Sequence, residues 1–243
     1  MAAPRFFVPD ALSSPADREM TLPEAVAHHA TRVVRLAVGD ALTLFDGTGG
    51  EYPATLVRAD REGAIVRVGP RLDVERESPL VVTLAQAIAA NDAMDYAIRK
   101  AVELGATAIQ PLVTERSAPL PAGERGGRRL AHWRGVVVAA CEQCGRNRIP
   151  AVAPPLALAS WLAAWKSVGL LLAPEAATPF ASLRPAAPIA LAVGPEGGFT
   201  EREVVAARAA GFNCVSLGPR VLRTETAAVA ALSAMQALWG DLR

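Results

Sequence analysis

The chain has 243 residues, 51% apolar and 20% charged, enough to bury a sizeable core in one large domain or two small ones. Lysine and arginine total 25 against 24 acids, and a net charge of +1 does not by itself announce a nucleic-acid binder. No apolar run approaches a membrane span, Asp10, Asp17 and Glu19 interrupt any secretory leader, and three cysteines are too few for a disulfide framework, so a cytoplasmic protein away from the membrane is expected.

Taken in chain order, Thr21 and Glu24 form a T-x-x-E capping box with Pro23 in the first turn, which predicts a short helix reaching Val34. Three β-type runs follow, at 41–45, 51–58 and 64–68, joined by Asp46-Gly47-Thr48-Gly49-Gly50 and Asp60-Arg61-Glu62-Gly63. Residues 1–72 are therefore expected to fold as a compact barrel of antiparallel strands, and the polar stretch 73–79, which lacks periodicity, as a linker.

Beyond it, in 80–243, strands alternate with helices: a strand at 81–87, a helix at 92–104 stopped by Gly105, a strand at 108–112, and a long helix at 130–143 after a loop of glycine and arginine. Later strands are expected at 170–173, 189–193 and 214–217. The alternation predicts an α/β domain with a parallel sheet.

Seven arginines lie between Arg116 and Arg148, at 116, 125, 128, 129, 134, 146 and 148, against two acids, Glu124 and Glu142, so that segment could face phosphate. Arginine is also the preferred base of the whole chain, since Lys100 and Lys166 are its only lysines. Cys141 and Cys144 have C-x-x-C spacing, but a zinc site needs two further ligands and only Cys214 and scattered histidines remain; no metal is expected.

Two glycine-rich loops stand out near the C-terminus. The first, Gly194-Pro195-Glu196-Gly197-Gly198-Phe199-Thr200, leaves an apolar strand and enters a helix through a second capping box, Thr200 with Glu203, that should stop at Gly211. The second, Leu217-Gly218-Pro219-Arg220-Val221-Leu222-Arg223-Thr224-Glu225-Thr226, again joins a strand to an alanine-rich helix, at 225–238. Either alone would pass for ordinary turn glycines and solvated charges; two such loops in one βαβ unit point to a ligand site. No Gly-Lys-Ser/Thr cradle and no G-x-G-x-x-G is present, which disfavours a Walker-type ATPase and a Rossmann dehydrogenase.

GPEGGFT followed by LGPRVLRTETAAVAAL resembles the C-terminal signature of the bacterial 16S rRNA uridine N3-methyltransferases, members of the knotted SPOUT methyltransferase superfamily. The resemblance extends through Met94-Asp95, Arg99 to Gly105, Thr114-Glu115-Arg116-Ser117 and Glu142-Gln143-Cys144-Gly145-Arg146. It also takes in His28-His29, Arg32-Val33-Val34-Arg35 and Phe45 to Tyr52, and so covers nearly the whole chain. One departure is Ala90-Asn91-Asp92-Ala93, where the family carries basic residues before the Met-Asp pair; no RNA contact is assigned there.

The resemblance implies a small PUA-like RNA-binding barrel followed by a SPOUT domain with a deep trefoil knot, paired into a homodimer through the knotted domain. It implies S-adenosyl-L-methionine as methyl donor, S-adenosyl-L-homocysteine as product, no metal, and a uridine of 16S rRNA in the small ribosomal subunit as acceptor. Mapped by motif, the cofactor contacts are Leu172, Pro174, Gly194, Pro195, Glu196, Gly197, Gly198, Leu217, Gly218, Val221, Leu222 and Thr224. Arg223 is the expected catalytic cation, since methylation at N3 leaves negative charge on O2 and O4 and a guanidinium cannot be neutralised. Glu225 is the expected assistant in proton removal, although it also suits the dipole of the following helix. Arg5, His29, Arg32, Arg35, Arg116, Gln143 and Arg146 are the expected RNA contacts. Two other readings stand beside this one: a related methyltransferase with another acceptor, such as a ribose 2'-hydroxyl or another base, and a non-catalytic ribosome-assembly factor.

Overall fold

A computed structural model of the chain describes residues 3–9, 12, 18–119, 123–183 and 188–242. Asp10 and Asp17, used above against a leader, and part of the loop before the long helix lie outside the described residues. The chain divides into two compact units, one of residues 1–77 with 141–149, the other of 78–140 with 150–243.

The first unit is built on a five-stranded sheet in the order β1 (Arg5–Phe7), β3 (Ala41–Phe45), β4 (Tyr52–Asp60), β5 (Gly63–Val68), β2 (Arg18–Thr21). Alternation decides which residues enter the core: β4 reads buried, exposed, buried from Tyr52 onward, and its Ala54 and Leu56 join Leu42, Leu44, Val66, Val68 and Phe6 inside. The sheet is mixed, not wholly antiparallel as expected, because β1 runs parallel to β3. The first helix, α1 (Glu24–His28), continues through a π-helical turn at His29–Val33 as predicted in extent, but the Thr21 capping box does not form. Thr21 is committed to β2 opposite Ile65, and Pro23 occupies the cap position without a side-chain bond.

Residues 71–77 and 141–149 carry fixed contacts inside this unit. Arg5 and Arg76 converge on Glu51 at 2.6 and 3.1 Å, Asn147 Nδ2 donates to the Val74 carbonyl at 2.6 Å, and the backbone N–H of Phe7 donates to Glu142 at 2.9 Å. Arg146 is 4% exposed and ion-paired to Glu77. Burial pushes the Glu51 carboxyl up, but Arg5 and Arg76 more than offset it and hold the group below its ordinary value. At Glu142 burial prevails and holds the carboxyl above its ordinary value, against the Phe7 N–H and the nearby His29 and Arg5.

The second unit is an α/β sheet in the order β12 (Asn213–Val215), β10 (Val168–Leu172), β11 (Ile189–Val193), β6 (Val82–Ala87), β7 (Ala108–Val113), β8 (Ala151–Val152), with β9 (Leu156–Ala157) also paired to β7. Every described pairing in it is parallel. β11 is Ile-Ala-Leu-Ala-Val with every residue buried, which is why it reads as a continuous apolar run and not an alternating one. The helices are α2 (Asn91–Glu103), α3 (Glu124–Cys144), α4 (Leu158–Ala164), α5 (Glu201–Ala209) and α6 (Thr224–Trp239). α3 begins six residues before the expected 130, so most of the glycine and arginine loop is helical. β12 ends at Val215, because Ser216 already pairs with residues 178–180 of the β10–β11 connection: its N–H donates to Thr178 and its carbonyl accepts from Phe180, both at 3.1 Å.

Candidate functional site

The sheet order places the site. The chain lays down β10, inserts β11 between β10 and β6, and then returns to the outer side of β10 for β12, so three neighbouring strands end side by side at their carboxyl ends. Such a reversal leaves a crevice between connecting loops that diverge. A cleft of about 720 Å³ lies there, walled by residues 172–176 after β10, 193–199 after β11, 215–218 and 220–222 after β12, together with Arg116 and the α5 residues Val204, Val205 and Arg208.

The first glycine loop is a tight turn closed by Gly198 N–H donating to the Pro195 carbonyl at 2.9 Å, with Gly198 at φ +67°. At Gly194 a Cβ would sit 3.2 Å from Gly198 Cα and from Phe199 N, and 3.3 Å from Gly198 C, all backbone, so a side chain there would open the turn. The Thr200–Glu203 capping box forms as predicted and starts α5. Glu203 also accepts the backbone N–H of Glu115 at 2.9 Å, and Arg116 lies along Gly197 and donates to its carbonyl at 2.8 Å. These two bonds fasten the 114–117 loop to the rim.

The second loop crosses the ends of β10 and β11 to begin α6 beside β6. Thr224, the first residue of α6 and buried, donates its hydroxyl proton to the Gly194 carbonyl at 2.5 Å and accepts Gln86 Nε2 at 2.9 Å. Arg223 is the N-cap residue of α6, exposed, and its guanidinium has no ion pair or hydrogen bond among the described residues. Glu225 is half-buried in the first turn.

All twelve residues assigned to the cofactor line this cleft. Glu196 has a second commitment that its motif did not suggest: its carboxylate accepts the Ala90 N–H at 2.8 Å, where α2 starts. Of the residues assigned to RNA, Arg116 is on the cleft rim, while His29, Arg32, Arg35 and Gln143 are exposed in the first unit. Arg35 holds a left-handed φ of +65°, the one non-glycine residue among those described to do so. Two assignments are corrected. Arg146 is buried against Glu77, and the Arg5 side chain, 13% exposed, is spent on Glu51, Asn147 and the ring of Phe45, so neither presents a guanidinium to phosphate. Gln86 was not foreseen; a lone glutamine inside the run Val-Thr-Leu-Ala-Gln-Ala was the available signal, a polar residue where a buried strand should have none.

The family model described as an RNA methyltransferase domain matches residues 76–236, and that of an RNA methyltransferase PUA domain matches residues 22–69. Ribosomal RNA small subunit methyltransferase E of a Synechocystis strain is 38% identical over 227 residues, covering 90% of this chain and 73% of its own length. The crystal structure of a protein of that name from Neisseria gonorrhoeae, bound to S-adenosyl methionine, superposes with a TM-score of 0.92 at 40% identity and full coverage of both chains. A Legionella pneumophila protein in complex with its bound cofactor SAM gives a TM-score of 0.95 at 37% identity, also over the full length of both.

Proposed function

We propose that this chain, which belongs to the RNA methyltransferase family, transfers a methyl group from S-adenosylmethionine to N3 of one uridine in the 16S rRNA of the small ribosomal subunit. The observation that carries the reading is the cleft at the carboxyl ends of β12, β10 and β11, in a chain that superposes over its full length on two structures solved with S-adenosylmethionine. The residues fit that group. Gly194 lines the cleft in a turn packed too tightly against Gly198 and Phe199 for a Cβ, which holds the loop's backbone in place, while Leu172, Leu217 and Leu222 offer apolar walls to an adenine.

When bound, the donor supplies a methyl group already activated on a sulfonium, so the protein has to orient and to manage charge. The 194–198 and 217–222 loops orient. Arg223, exposed and next in sequence to Leu222 and Thr224 of the cleft lining, is the guanidinium we assign to stabilise the negative charge that spreads to uridine O2 and O4 when the N3 proton leaves. Glu225, half-buried in the first turn of α6, is the carboxylate for accepting that proton or orienting Arg223. The N3 edge is hidden in a base pair, so the acceptor is a single-stranded or splayed uridine. His29, Arg32 and Arg35, exposed on the first unit, are the residues we assign to RNA phosphates.

The domain division at 73–79, the trefoil knot and the homodimer belong to this proposal. Support for the knot comes from the 216–224 segment, which pairs with residues 178–180 of the β10–β11 connection before reaching β6. The test is methyl incorporation into small subunits from methyl-deficient cells, mapped by nuclease digestion and mass spectrometry. One 3-methyluridine is expected; a methylated ribose or another base would replace the acceptor, and donor binding without any incorporation would favour the assembly-factor reading.

A further inference from the structure

Gln86 stands at the carboxyl end of β6, fully buried, outside the cleft lining. Its Nε2 donates to the Ala87 carbonyl at 3.0 Å and to Thr224 Oγ1 at 2.9 Å, and Thr224 in turn donates to the Gly194 carbonyl at 2.5 Å. The amide can face only one way. Turned over, its oxygen would meet the Ala87 carbonyl oxygen and a threonine hydroxyl whose proton is already given to Gly194. In the observed orientation Oε1 is buried without a hydrogen-bond partner among the described residues. A stranded acceptor is a cost that a methionine or leucine of similar length would not carry. Gln86 therefore weakens the core at this point, and what it gives in return is the relay to Thr224 and Gly194.

Resting on the methyltransfer reading above, we infer that Gln86 is a positioning residue, whose relay through Thr224 to Gly194 fixes the start of α6, and with it Arg223, against the loop that follows β11. Two loops far apart in sequence must be in register for the reaction, and Arg223 precedes Thr224 directly. Gln86 Nε2 also lies 3.5 Å from the Gly194 carbonyl, so the relay meets the cleft at Gly194 and Thr224 alone; the walls at 172–176 and 217–222 make no bond with Gln86, and its loss should disturb alignment more than donor retention.

The test compares wild type with Gln86→Met, Thr224→Val, Thr224→Ser and the Gln86→Met/Thr224→Val double variant, in the full chain. Gln86→Met is expected to keep or raise Tm, to lower kcat for methyl transfer by about tenfold to a hundredfold, and to change the KM for S-adenosylmethionine by less than about threefold. Thr224→Ser, which keeps the hydroxyl, should be faster than Thr224→Val, and the double variant should be no slower than the slower single one. Hydrogen exchange at the Ala227 amide, which is bonded to the Arg223 carbonyl at 2.8 Å, should quicken about tenfold in Gln86→Met. Wild-type kcat in Gln86→Met, rate losses that multiply in the double variant, or a fall in Tm with unchanged kcat per folded molecule would each overturn the inference. Absence of methyl transfer by wild type itself would instead strike the proposed function, and the exchange measurement would still judge the relay.

Discussion

Replacing Gly194 with alanine tests the cleft most directly, because the consequence can be worked from three distances. The added carbon would meet Gly198 Cα and Phe199 N at 3.2 Å and Gly198 C at 3.3 Å. Carbon atoms pack best at about 3.5–4.0 Å, so three contacts are each short by a few tenths of an ångström, and all three partners are backbone. Nothing can swing aside. The turn must open against its own closing bond, Gly198 N to Pro195 O at 2.9 Å, or Gly194 must retreat from Thr224. Overpacking of this kind costs about 1–3 kcal/mol, and a loop that yields transfers the cost to whatever it binds. A loss of about 2 kcal/mol corresponds to roughly a 30-fold weaker Kd for S-adenosylmethionine, measured by titration calorimetry. Gly135→Ala is the control: it lies on the exposed surface of α3, outside the cleft, and its Cβ would meet nothing within 4 Å, so donor affinity should stay within about twofold of wild type. A Gly194→Ala protein that keeps its Tm and binds donor within threefold of wild type would refute the reasoning, as would an effect equal to that of Gly135→Ala.

The remaining predictions separate chemistry from scaffold. Arg223→Ala should lower transfer by about two to three orders of magnitude with donor affinity nearly unchanged; an equal loss of donor binding would make Arg223 a cofactor contact. Arg146→Ala breaks a buried pair with Glu77 and should cost about 3 kcal/mol in urea unfolding while leaving the salt dependence of RNA binding alone. Arg32→Ala should do the reverse, lowering the salt slope by about one at unchanged stability; if the two variants exchange behaviours, the correction made for Arg146 fails. Glu51 is held below its ordinary value of 4.5, so the stability it supplies is present above that pH and lost as pH falls through the depressed value. Glu51→Gln should therefore cost about 2 kcal/mol at pH 7, and the difference from wild type should shrink progressively below pH 4.5; a difference undiminished at pH 3 would refute the assignment.

The sheet of the second unit was legible because burial on both faces writes strands as unbroken apolar runs: β11 was bounded to the residue, and the Thr200–Glu203 box located the start of α5. The short strands β1, β2, β8 and β9, of two to four residues, are below the length at which periodicity speaks, and the parallel pairing of β1 with β3 is a long-range choice that no local pattern encodes. The Thr21 box failed for a tertiary reason, the pairing of β2 with β5. Arginine misled most. From sequence, Arg5, Arg32 and Arg146 are equal cations; the structure spends Arg5 and Arg146 on carboxylates supplied by Glu51 and Glu77, far away in the chain, and leaves Arg32 at the surface.

That the cleft was legible as a site has the same topological root as the relay that was not. Because β12 lies outside β10 while α6 begins beside β6, the chain has to travel back across the ends of β10 and β11, and the residues it carries over that path are the second glycine loop. What marked that loop was its glycine break between a strand and a helix, together with the polar groups Arg220, Arg223 and Glu225 that it carries. Where it lands, however, is decided by one hydroxyl and one amide, Thr224 on Gly194 and Gln86 on Thr224, drawn from β6, β11 and α6. Composition can mark a loop that must cross; only the fold shows which buried group receives it, and in this chain that receiving group, Gln86, stands 138 residues before the threonine it holds.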